Sequence, residues 1–161
     1  MTVNTTGAAK GGPPGAAVPV MGQSRRLTLG SIRGAVGKGR DFTRRTLRDW
    51  GWDHDESAED ALLVVSELVA NATLHAGGCH ELVLTAGEAL RIDVVDGTAV
   101  PPRPRSVPRP GVPGGHGLRI VQVLSDRWGS YRHGSGKVVW AEIDGRRLAG
   151  GRGPAFPAPA V

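Results

Sequence analysis

Apolar residues recur along this chain in two periods, and the switches between them mark the elements. Ala61, Leu62, Val64, Val65, Leu68, Val69 and Ala72 have the spacing of a broad helical face. Asp53, Asp55, Glu56, Glu59 and Asp60 crowd the start of that run, where the helix dipole favours acids, and Gly77-Gly78 ends it. The pattern predicts a helix over 57–76. Ile32, Val36, Phe42, Leu47 and Trp50 predict another over about 31–50, although Gly34, Gly37 and Gly39 weaken its first half and move its secure start to near Arg40.

A period of two then takes over. Leu90, Ile92 and Val94 face one way while Arg91 and Asp93 face the other, which predicts a strand over 90–96. A tight turn at Gly87-Glu88 joins it to a strand over 81–86, and Leu27 and Leu29 suggest a short strand over 26–30. Residues 97–115 are rich in proline and glycine, a loop long enough to be usually functional. A short apolar helix over 118–124 follows directly on Gly115-His116-Gly117. Strands over 127–132 and 137–143 close the chain as a hairpin around Gly134-Ser135-Gly136.

This order predicts an α/β two-layer sandwich, with helices on one face of a mixed, mostly antiparallel sheet. The folded domain is expected over 24–145. Residues 1–23 and 146–161 offer too little apolar surface to offset chain entropy, so both are predicted to be disordered tails.

Composition narrows the function more by exclusion than by suggestion. The chain of 161 residues carries a net charge of +5. All its acids lie between Arg25 and Asp144 with most of the bases, so the surplus sits mainly in the tails and argues weakly for nucleic-acid binding. Aromatic residues make up only 4%, too few for a base-stacking platform. The single cysteine, Cys79, permits neither an internal disulfide nor a cysteine-based zinc site. No run approaches the roughly 18 apolar residues of a membrane span, and Pro13, Pro14 and Pro19 break any leader-like segment. A cytoplasmic protein is expected, with no membrane partner and no direct nucleic-acid partner.

Three groups carry candidate chemistry. Glu67 and Asn71 are four apart and share one face of the 57–76 helix, in otherwise apolar or small surroundings. Taken alone, such a pair is more often a solvated stripe on an amphipathic helix. Asp96 is in phase with Leu90, Ile92 and Val94, so its carboxylate points to the core side at a strand end, where it can accept a hydrogen bond from an exocyclic amine. A turn-capping Asp-Gly, with Gly97, is the plain alternative. Glycines entering the 118–124 helix expose backbone N–H groups at the positive end of its dipole, a place for phosphate. The preceding loop carries Arg103, Arg105 and Arg109 without an acid, and could close over an anion or simply be a basic loop.

In this order and spacing the three groups resemble the GHKL (Bergerat-fold) ATPases, and within them the standalone anti-sigma-factor protein kinases. ELVANATLHA resembles the family's N box, VVDG a shortened G1 box and GGHGLRIV its G2 box. The resemblance implies that Glu67 is the catalytic base, that Asn71 ligates Mg2+, and that Asp96 and Gly97 bind the adenine of ATP. Gly115, Gly117 and Leu118 would cradle phosphate, with Arg103 and Arg105 closing over it. His75 also falls in the N-box pattern, but a helix-end structural role suits it. Where the subgroup often has a threonine near the start of its last strand, the sequence offers Val138.

By the same resemblance the expected function is an anti-sigma factor that phosphorylates a serine or threonine of an anti-sigma-factor antagonist. Its partners would be that antagonist and a sigma factor, and a homodimer stays open. Residues 25–48, eight bases against one acid, are a candidate docking surface or a solvated helix face. The rival readings are a non-catalytic ATP-binding regulator and a nucleic-acid-binding protein using the basic segment.

Overall fold

A computed structural model of the chain describes residues 3–6, 22–30, 33–75, 79–97 and 117–150. Six strands form one sheet: β1 (Val3–Thr6), β2 (Ser24–Thr28), β3 (Cys79–Ala86), β4 (Ala89–Asp96), β5 (Arg127–His133) and β6 (Gly136–Asp144). Their spatial order is β1-β2-β3-β4-β6-β5. Among the described residues every ladder is antiparallel, where a mixed, mostly antiparallel sheet was expected. The described residues also form four helices: α1 (Ala35–Asp49), α2 (Asp55–His75), α3 (Gly117–Leu124) and α4 (Gly145–Leu148). No described helix is long and apolar enough to cross a membrane.

The core lies between the sheet and α1 and α2. Leu90, Ile92 and Val94 of β4 are fully buried against Val64, Val65, Leu68 and Val69 of α2 in one apolar cluster. Helix α1 begins at Ala35, earlier than its glycines suggest. Ala35, Gly39, Phe42, Thr43, Thr46 and Leu47 form one buried face, and burying that face against α2 outweighs the low helix propensity of Gly37 and Gly39.

Both predicted tails contribute structure. Val3–Thr6 pairs with β2 as an edge strand, Val3 opposite Leu27. Its sequence, VNTT, has a single apolar residue, and main-chain pairing leaves no mark on hydropathy. At the other end the fold continues past residue 145. Asp144 caps α4 by accepting a hydrogen bond from the N–H of Arg146, and Leu148 is fully buried. One turn with one buried leucine is too short to show a period. Residues 7–21 and 151–161 lie outside the described residues.

The sheet's other face carries an ionic cluster. Arg91 bonds Asp93 at 3.0 Å and Glu142 at 3.1 Å, and its guanidinium stacks 4.0 Å over the Trp140 ring. Burial pushes the Asp93 carboxyl above its ordinary pKa, and its pairing with Arg91 reverses this only in part. Arg91 itself is held above its usual value: burial opposes the charge, but its hydrogen bonds and attraction to Asp93 and Glu142 outweigh that. Pairing thus wins at the guanidinium and desolvation wins at the carboxylate. An acid with a raised folded-state pKa binds more protons folded than unfolded between its two pKa values. Stability from this group therefore falls as pH rises through that window. Asp93→Asn is expected to match or exceed the wild type in melting temperature at pH 7, and to lose that advantage as pH falls to the ordinary carboxylate range. Melting curves across that range check it, and a variant less stable than wild type only at neutral pH would contradict it.

Candidate functional site

The chain leaves β4 at Asp96, crosses to α3, runs out along β5 at the sheet edge and returns along β6, which inserts between β4 and β5. This path sets the end of β4 beside the start of β6. Helix α2 packs against β4, β6 and α3. Helix α2, which carries Glu67 and Asn71, is therefore the common neighbour of β4 with Asp96 and of α3 with Leu118, as the sequence order alone does not require.

Glu67 and Asn71 are half-buried on α2, flanked by buried Ser66, Leu68 and Ala72. The reason is rotational: with 3.6 residues per turn, positions 67 and 71 fall on one stripe beside the core-facing stripe of 65, 68, 69 and 72. Among the described residues neither makes a hydrogen bond or ion pair. A carboxylate and an amide set at the margin of an apolar core are thereby left open to a ligand.

Asp96 differs. It is the last residue of β4, faces the core side in phase with Val94, and is 2% exposed. Opposite it in the β4–β6 register stands Lys137. The Lys137 ammonium donates to the carboxylate, with Nζ 3.1 Å from Oδ1 and 2.9 Å from Oδ2. Sequence reasoning missed this lysine. Val138, which stands where the subgroup often has a threonine, pairs with Val95, and its side chain belongs to the opposite face of the sheet. Gly97, next in the chain, is exposed.

Gly117 opens α3 as expected, and the Leu118 side chain is buried. Gly115, together with Arg103, Arg105 and Arg109, lies outside the described residues, and His75 is simply the last residue of α2. Two hollows contain none of the site residues. One is lined by Arg44 and Arg48 of α1, Asp53 of the connection and Glu59 of α2. The other lies between α2 and α3 at Leu63, Ile120 and Val123.

A family model, that of the histidine kinase-like ATPase domain, matches residues 33–143. The chain belongs to this family. The match runs from just before α1 to the penultimate residue of β6; β1, β2 and α4 lie outside the matched residues. No curated protein matches the chain.

A histidine kinase-like ATPase domain of the GHKL superfamily is an ATP-binding domain, and the donor set suits that ligand. Asn71 offers a neutral oxygen, a hard donor that a divalent cation takes together with water and phosphate, and Glu67 offers a carboxylate one turn away. Among the described residues no group of three or more His, Cys, Asp or Glu could hold a metal unaided. A magnesium ion would need the nucleotide's own oxygens. The base end fits less simply, because the acid that would read the adenine amine is already in an ion pair.

Proposed function

We propose that this protein is an ATP-dependent anti-sigma factor that phosphorylates a serine or threonine of an anti-sigma-factor antagonist. The observation that carries the reading is the Glu67/Asn71 stripe, half-buried and unpartnered among the described residues on the helix that packs against both β4 and α3. Asn71 holds Mg2+ through its side-chain oxygen, and the backbone at Gly117 and Leu118, with Gly115, takes phosphate at the start of α3. Asp96 receives the adenine amine. Glu67 accepts the proton of the attacking hydroxyl, raising its nucleophilicity at the moment of attack. The hydroxyl oxygen then bonds to the γ-phosphorus as the bond to the departing ADP breaks, leaving a phosphoserine or phosphothreonine.

For the protein partners, the first helix supplies charge. Of the eight bases in 25–48, Arg25, Arg26 and Arg44 are engaged with Asp49, Glu81 and Asp41. Arg33, Lys38, Arg45 and Arg48 stay exposed, a surface for an acidic face of the sigma factor or the antagonist.

Single-turnover transfer of labelled γ-phosphate from ATP to candidate antagonist proteins tests the reading. Transfer to serine or threonine supports it, whereas ATP binding without transfer to any of them favours a non-catalytic, nucleotide-dependent regulator. The metal assignment has its own check. Asn71→Ala is expected to remove most of the dependence of ATP affinity on Mg2+, and a titration showing equal metal dependence in variant and wild type would reject it.

A further inference from the structure

We propose that Lys137 is a specificity-determining latch on Asp96, admitting a nucleobase amine only when it gives up part of that carboxylate. The inference rests on the ATP-binding reading of the site and adds how the base is admitted. Nζ of Lys137 spans both oxygens, 2.9 Å from one and 3.1 Å from the other. The two side chains are 5% and 0% exposed, so the pair is closed off from solvent.

The pair is fixed by the backbone around it. Lys137 lies between two ladders, opposite Asp96 of β4 and opposite Arg132 of β5. Its neighbour Gly136 abuts the Asp96 main chain, since a Cβ there would stand 3.0 Å from the Asp96 carbonyl carbon and 3.2 Å from Gly97 Cα. Breaking a buried pair by removing one partner is strongly unfavourable, unlike the loss of an exposed one.

The chemistry of the competition is direct. An ammonium and the 6-amine of adenine both come to the carboxylate as donors. Each time Lys137 yields one of the two oxygens, that oxygen can accept the amine, so the latch weakens amine recognition without abolishing it. The apparent affinity is the intrinsic one multiplied by the fraction of molecules in which Lys137 has yielded an oxygen. A neutral donor at 137 keeps Asp96 hydrogen-bonded and removes the competing charge.

The test measures Kd for ATP and for purine riboside triphosphate, the same nucleotide without the 6-amine, on the full chain as wild type, Lys137→Gln and Lys137→Thr. Melting curves establish that each is folded. The wild type is expected to prefer ATP by less than about fivefold, and the variants to bind ATP at least about fivefold tighter with little change for the analogue. Unchanged or weaker ATP binding in folded variants, or an equal gain for both nucleotides, overturns the latch. Absence of binding of either nucleotide to folded wild type overturns the ATP reading itself, and the latch with it. Should neither variant fold, the wild type decides: parity between the nucleotides supports the latch, and a preference for ATP beyond about fivefold rejects it.

Discussion

Glu67→Gln is expected to slow phosphoryl transfer to the acceptor protein by about 10²–10⁴, the usual contribution of a general base, while ATP still binds. The amide keeps the size of the side chain and its place on the α2 stripe but cannot take the hydroxyl proton. Folding should be almost untouched, because Glu67 is half-exposed and has no hydrogen bond or ion pair to a described residue. The measurement that separates roles is the pair of rate and affinity. A fall in the transfer rate with Kd for ATP nearly constant marks an interaction made only in the transition state. A large loss of ATP affinity with the rate per bound nucleotide preserved would instead make Glu67 a binding residue, and an unchanged rate would remove it from the chemistry.

How much of this was legible beforehand follows from how local each signal is. The α2 and β4 patterns are local, one repeating every three to four residues and the other every two, and both elements formed within two residues of their expected limits. Glu67 and Asn71 could be set on one face from spacing alone. The inward direction of Asp96 followed from its phase with Leu90, Ile92 and Val94. By contrast β1 and α4 carry almost no hydropathy signal. Their reasons for existing, a main-chain ladder and one buried leucine, lie in contacts with distant segments.

Lys137 was illegible for a sharper reason. Its partner is 41 residues away, and α3 and β5 lie between them along the chain. Sequence suggests only that β5 and β6 form a hairpin; it does not say that β6, the later strand, inserts beside β4. Nor does it fix the register, and a shift of one residue exchanges Lys137 for Val138 at the position facing Asp96. A polar residue at a strand start is unremarkable in hydropathy. Only pairing turns it into a buried cation on the acid expected to read the base.

Gly136→Ala tests that junction through stability. Gly136 starts β6, and a methyl group there would stand far inside contact distance of the Asp96 carbonyl oxygen and 3.0 Å from its carbon. Both atoms are backbone, so no side chain can rotate away; the strands must part or β4 must bend at its last residue. Overpacking typically costs about 1–3 kcal/mol and a backbone clash belongs at the upper end, which lowers the melting temperature by up to about 10 °C in a domain of this size. The strain falls on Asp96 and Gly97, so ATP affinity should drop along with stability. Gly37→Ala is the matched control: that glycine is exposed in α1, with nothing within 4 Å of an added Cβ. Relieving the helix of a glycine there should raise stability by up to about 1 kcal/mol and leave nucleotide binding alone. If Gly136→Ala melts like wild type, the close approach of β6 to the end of β4 is wrong, and with it the geometry that sets Lys137 on Asp96.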